Sequence, residues 1–223
     1  MEGVLILLCV FTVVGVGHYS HVVAYDYMYL VMQWPRSFCN TQPNVFRSRV
    51  PNIFTIHGLW PQNLNNAPVN CPVPILNHFH YPTLNADKVL LKTMDRIWPS
   101  LINGMPNDQF WGAQWKKHGT CTTYAQNDYF RVDCIRANFL GNITASLEAQ
   151  GILVGTSSLI MFYKRAIEEQ LHLIPNFACN EDSNGTPQLF EIRFCLDKAG
   201  LSFKNCSWFI PRKCSGNIAF PIP

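Results

Sequence analysis

Two histidines in unusual company carry most of the chemical information in this chain. In Phe54-Thr55-Ile56-His57-Gly58-Leu59-Trp60-Pro61 an imidazole interrupts an apolar run, with a glycine directly after it and a tryptophan three positions on. The glycine would clear a side chain from beside the ring and let a substrate approach the backbone. In Phe110-Trp111-Gly112-Ala113-Gln114-Trp115-Lys116-Lys117-His118-Gly119-Thr120-Cys121, residues Gln114, Lys117 and His118 stand at i, i+3 and i+4. A helix there puts an amide, an ammonium and an imidazole on one face, and Gly119 ends it. Each segment also has a plain reading. A lone strand histidine is commonly a hydrogen-bonded core residue, and a Lys-His pair can be a solvated helix end. The three aromatics in six residues argue against full exposure of the second segment.

Together the two segments point to a reaction. Two histidines with a neighbouring cation and aromatic surfaces suit cleavage of RNA without a supplied metal. One imidazole takes the proton of the ribose 2′-hydroxyl, and the other gives a proton to the departing 5′-oxygen. An ordinary histidine pKa of about 6.5 lets one ring be neutral while the other is charged. The lysine would offset charge growing on the phosphorus-bound oxygens. Exposed aromatics would hold bases by stacking, at roughly 1–3 kcal/mol per base.

The elements that must position these groups can be read coarsely. Tyr27 to Gln33 reads as a strand closed by Trp34-Pro35, and Asn40 to Pro51 as a loop. Ile53 to Leu59 reads as a buried strand bounded by Pro51 and Pro61, and Gln62 to Pro82 as a long surface loop. Helical patterns cover Leu84–Ile97, Asp108–His118, Asp128–Leu140 and Ser157–Leu171, and Leu189–Leu196 returns to a strand pattern. Strands at both ends with helices grouped between them predict an α+β fold, an antiparallel β-sheet with helices packed on it.

Hydrophobic residues make up 48% of the 223 residues and charged ones 14%. That balance predicts one packed domain and excludes wholesale disorder. Val4–Val16 is a run of apolar residues, too short for a bilayer, which takes roughly 20 residues, and suited to a signal peptide. Cleavage after Ala24 is expected, with Gly15-Val16-Gly17 as a second choice, leaving residues 25–223 as a single domain. Loss of Glu2 takes the formal net charge from +3 to +4. Eight cysteines then remain: Cys39, Cys71, Cys121, Cys134, Cys179, Cys195, Cys206 and Cys214. An even set in an exported chain predicts a disulfide-stapled fold. Sequons at Asn142, Asn184 and Asn205 predict glycosylation and agree with secretion. His78-Phe79-His80 could be taken for a metal pair, but no third ligand is in view. No metal and no cofactor are therefore expected. His172 should end a helix, where a cation is favoured.

FTIHGLWP and FW-x-x-Q-W-x-KHGTC closely resemble the two active-site segments of the T-two family of ribonucleases. The likeness extends from about Tyr27 to Cys214 and is greatest to the plant self-incompatibility ribonucleases, or S-RNases. It implies an α+β fold and cleavage of single-stranded RNA through a 2′,3′-cyclic phosphate, with His57 as general acid, His118 as general base and Lys117 supporting the transition state. It also implies that Trp60 and Phe110 stack on the base, and that Gln33, Ser100 and Leu101 line the nucleotide site. Cys71–Cys121, Cys179–Cys214 and Cys195–Cys206 are the implied bridges. Cys39 and Cys134 are left either paired or as two thiols. Where the family often has His-Glu this chain has Ala113-Gln114. Gln114 can donate a hydrogen bond but cannot act as an acid or base, so activity is expected to be retained, in full or at a reduced level. Gln62 stands where many members carry Asp, which leaves base preference open.

Three roles fit these readings. One is a pistil self-incompatibility ribonuclease that degrades RNA of self pollen, monomeric, with a pollen F-box protein as partner at the loop around Gln62–His80. It would contact no DNA and, once mature, no membrane. The second is a defence or nutrient-scavenging ribonuclease of the same chemistry, and the third a catalytically weak binding or storage homologue.

Overall fold

The computed structural model describes residues 23–42, 45–46, 49–65, 67–71 and 78–223. The expected signal segment, apart from its last two residues, therefore lies outside the described residues, as do parts of both loops. In chain order the elements are β1 (Tyr27–Gln33), α1 (Pro35–Cys39), β2 (Thr55–Gln62), α2 (Tyr81–Ala86), α3 (Lys88–Ile97), α4 (Asn107–Lys117), α5 (Gln126–Leu140), α6 (Ile143–Glu148), β3 (Ser157–Leu159), α7 (Ile160–Leu171), β4 (Asn176–Glu181), β5 (Pro187–Leu196), β6 (Phe203–Lys204) and β7 (Asn217–Ala219). Among the described residues no helix is long and apolar enough to cross a membrane.

The fold is α+β. The sheet runs β2-β1-β5-β7-β3, with β4 and β6 also pairing β5, so β5 is its hub. All of these pairings are antiparallel except the single parallel contact of β5 with β7. Alternation along β1 explains its two faces. Met28, Leu30 and Met32 point into the main core with Ile56, Leu59, Ile192 and Phe194, against α3 and α5. Tyr29 and Val31 point to the other face, with Cys195, Cys206 and Trp60. Because both faces are covered, β1 reads as a nearly continuous apolar run.

Several boundaries differ from the sequence reading, each for a local reason. The strand around His57 does not stop at Pro61 but continues to Gln62. β2 is an edge strand, so the missing proline N–H need cost the ladder nothing. The single helix expected over Leu84–Ile97 is broken at Asp87, whose carboxylate accepts the Leu90 N–H at 3.0 Å and starts α3 as its N-cap. Pro82 sits in the first turn of α2, inside what was read as the end of a loop. Ser157–Leu159 is a strand on β7, and only from Ile160 does the helix run. α1, α6 and β4 were not anticipated; Asn142 caps α6 by accepting the Ala145 N–H. His172 follows α7 in the left-handed conformation.

The bridges are Cys71–Cys121, Cys179–Cys214 and Cys195–Cys206. Cys39 and Cys134 are buried thiols, so the pairing of the two gives way to the alternative reading. The three sequon asparagines, Asn142, Asn184 and Asn205, are all exposed.

Asp133 on α5 is fully buried, and neither carboxylate oxygen has a hydrogen-bond partner among the described residues. Burial pushes its pKa well above the usual carboxylate value. The folded state therefore keeps a proton that the unfolded chain releases above about pH 4, and this site loses stability as pH rises. Asp133→Asn is expected to flatten that slope and raise the melting temperature at pH 7 by about 2–4 °C for each kcal/mol gained. Thermal scans from pH 4 to pH 8 measure it; identical slopes for the two proteins would contradict it.

Candidate active site

The site is built on the sheet face opposite the main core, and two β-bulges shape it. Between the pairs Val31↔Gly58 and Met32↔Ile56 the β2 strand holds one extra residue, His57. Between Ala178↔Glu191 and Cys179↔Leu189 the β5 strand holds one extra residue, Phe190. A bulge reverses the inside–outside alternation and re-aims a side chain. Ile56 and Leu59 can thus both enter the main core while His57 and Trp60 gather on the other side.

The outward carbonyls of edge strand β2 are satisfied by buried aromatic donors. Trp98 Nε1 donates to His57 O at 3.2 Å, and Tyr129 Oη donates to Leu59 O at 2.8 Å. Trp111 Nε1 in turn donates to Trp98 O at 2.8 Å. These bonds answer the backbone's need for partners and hold the bulged strand in place.

Trp60 is the wedge between the two histidines. Its ring meets His57 edge-on at 4.9 Å and lies stacked with His118 at 5.2 Å. Its Nε1 donates to Gln114 Oε1 at 3.3 Å, and the Arg193 guanidinium stands 5.6 Å over the ring. Gly58 makes this possible. A Cβ there would fall 2.4 Å from Trp60 Nε1 and 2.5 Å from Gln114 Oε1. The glycine thus makes room for the indole and the amide, and not for a substrate as the sequence suggested.

His118 is the residue that caps α4, not a member of its face, and its N–H donates to Gln114 O at 2.9 Å. Gly119 is needed for a close approach: a Cβ would lie 2.1 Å from Trp115 Cε3. Burial first, then the charge of Lys117 and that of His57, push the His118 pKa down to about 3. The ring is therefore neutral and able to accept a proton. Lys117 itself is exposed, while Gln114 is buried against Trp60. Gln114 here holds the indole through its oxygen.

His57 keeps 23% of its side chain exposed, and its Nδ1 lies 2.7 Å from Glu191 Oε1. Glu191 is only 1% exposed, and Arg193 Nε and Nη2 both bond its other oxygen, at 2.8 and 2.6 Å. Burial works to raise the Glu191 pKa, but the hydrogen bond and charge of His57, with those of Arg193, outweigh it and hold the carboxyl below its usual value. Sequence reasoning missed Glu191. The available signal was Glu191-x-Arg193, two charged residues alternating on an otherwise apolar strand and so facing the same way.

Phe110 is half-buried, with its ring centroid 6.5 Å from that of His57. Gln33 lies beside the site, paired in register with both Thr55 and Glu191, but it is buried. Ser100 and Leu101 are buried as well, with Ser100 N–H bonded to Asn107 Oδ1 at 2.8 Å. All three are closed off from solvent. Among the described residues no group of three or more His, Cys, Asp or Glu is placed to hold a metal ion.

A neutral imidazole and a carboxylate-backed imidazole thus meet at one indole, an arrangement chemically able to accept and to donate protons. The chain belongs to the Ribonuclease T2 family, whose model matches residues 25–206, and it is an endoribonuclease of that family. It is 32% identical over 210 residues to Ribonuclease 1 of Arabidopsis thaliana, covering 88% of this chain and 86% of that one. The structure of RNase NT in complex with 5′-AMP superposes with a TM-score of 0.78 at 30% identity, over 89% of this chain and 98% of the other. The self-incompatibility-associated SF11-RNase of Nicotiana alata does so with a TM-score of 0.73 at 30% identity, over 89% of this chain and 100% of the other.

Proposed function

We propose that this ribonuclease cleaves single-stranded RNA by transphosphorylation, with His118 as general base and His57 as general acid. The observation that carries this reading is the meeting of both rings at Trp60. The neutral His118 removes the 2′-hydroxyl proton, the 2′-oxygen bonds to phosphorus, and the bond from phosphorus to the 5′-oxygen breaks. His57 donates its proton to that leaving oxygen, so the products are a 2′,3′-cyclic phosphate and a 5′-hydroxyl. Lys117 supplies positive charge to the phosphoryl oxygens. Phe110 is the more open aromatic for a base, because Trp60 already carries His118 and Arg193.

No step in this scheme requires a metal. RNA digestion is therefore expected to proceed unchanged in excess EDTA and to yield cyclic phosphate ends, seen by mass spectrometry of a short oligonucleotide. Loss of activity on chelation, or products with linear phosphates from the first turnover, would contradict it.

The biological reading is a secreted self-incompatibility ribonuclease of the pistil. The apolar leader, the bridges, the exposed sequons and the likeness to the Nicotiana alata SF11-RNase support it. A pollen F-box protein is the partner that reading implies, with the enzyme itself monomeric. Expression confined to the pistil and high allelic variation are its test; uniform expression in leaf or root with one allele would favour a scavenging role.

A further inference from the structure

We propose that Glu191 is the positioning residue of His57, holding the imidazole by Nδ1–H so that Nε2 carries the proton for the leaving oxygen. The inference rests on the reading of His57 as the general acid and adds a residue to it.

The geometry comes from the strand order. β2 and β5 lie on either side of β1, so two inter-strand spacings, about 9–10 Å, separate their backbones. A histidine and a glutamate can meet over that distance only if both rise from the same face and lean towards each other. The two bulges, at His57 and at Phe190, arrange this, and the side chains touch at 2.7 Å across β1. The carboxylate is not free to turn away. Its second oxygen is clamped by two bonds from Arg193, whose guanidinium also sits over Trp60. One unit therefore fixes the acid's ring, the carboxylate behind it and the indole beside it.

The chemical consequence follows from which nitrogen is occupied. An ionised carboxylate accepts from Nδ1–H and stabilises a charged ring, leaving Nε2–H for the substrate. When Nε2 gives its proton away, the bond to Glu191 keeps the remaining proton on Nδ1, and Glu191 itself stays ionised. The charged and titratable groups around His57 are Glu191 and Arg193 from β5 and His118 from the end of α4, with Lys117 acting on His118 behind it.

Glu191→Gln keeps the size of the side chain but removes its charge and offers an N–H to Nδ1. With this variant kcat at pH 7 is expected to fall by about 10²-fold or more, with KM within about twofold. The alkaline limb of its pH–rate profile should move to lower pH, so that part of the loss is recovered in acid. Glu191→Asp, which keeps the charge, should recover more at pH 7 than Gln does. Nitrogen-15 NMR of the wild-type imidazoles tests the geometry without turnover and without any variant: His57 should show a protonated Nδ1 throughout the neutral range. An unprotonated Nδ1 would overturn the inference, as would Glu191→Gln with a wild-type rate and profile. Both results leave the acid role standing provided His57→Ala is inactive. An active His57→Ala instead brings down the acid role, and Glu191's with it.

Discussion

His57→Ala and His118→Ala are each expected to lower kcat by at least about 10³-fold on single-stranded RNA while leaving the fold intact. General acid and base groups contribute roughly 10²–10⁴-fold each, and in the proposed mechanism each histidine has a distinct proton to move. The expectation for folding comes from position. His57 keeps part of its side chain at the surface, and its backbone carbonyl remains bound by Trp98 whatever the side chain. His118 holds its place in the chain through its own N–H bond to Gln114 O. His118→Ala also removes a ring that burial keeps neutral. That group is depressed from 6.5 to about 3 in the folded state, so between those values the unfolded chain binds the extra proton and stability falls as pH drops. The variant should therefore lose less stability than the wild type between pH 6.5 and pH 3. Circular dichroism and initial rates measure both effects. A turnover within tenfold of wild type in either variant would contradict the assignment.

Gly58→Val is expected to be nearly as damaging although no histidine is touched. A Cβ at this position overlaps Trp60 Nε1 and Gln114 Oε1, so the indole between the two rings must shift. A displacement of about 1 Å at a catalytic group can cost about 10²-fold in rate, and overpacking costs about 1–3 kcal/mol in stability. Backbone strain is not part of the effect, since Gly58 lies in a strand and valine favours one. Kinetics together with tryptophan fluorescence give the check. A wild-type kcat/KM with an unshifted spectrum would show that Trp60 does not hold the two rings in register.

These two expectations mark where the sequence was informative and where it was not. The strand carrying Tyr27–Gln33 was legible to the residue because both of its faces are apolar and Pro35 closes it. His57 and His118 stood out because each breaks the pattern of its own segment. Local spacing cannot show which distant groups meet. Glu191 is 134 positions from His57, and although Glu191-x-Arg193 marks a polar face of its strand, nothing local says what that face meets. The bulges are equally hidden. Gly58 was read as room for a substrate, and only the packing of Trp60 and Gln114 against it shows what the missing side chain accommodates. The break at Asp87 was readable, since an aspartate before an apolar repeat is an N-cap signal, and the helical periodicity running through it concealed that signal. Burial of Gln33, Ser100 and Leu101 was equally illegible. Gln33 pairs in register with Glu191, and all three side chains are buried, which their sequence positions did not reveal.

In the proposed mechanism the two imidazoles work as one device on one phosphodiester bond. Kinetics of His57→Ala, His118→Ala and the double variant test that most directly. Groups that act as a unit give strongly non-additive losses, so the double variant should be scarcely slower than the worse of the single ones. A double variant whose loss equals the product of the two single losses would mean that the rings act independently, and would contradict it.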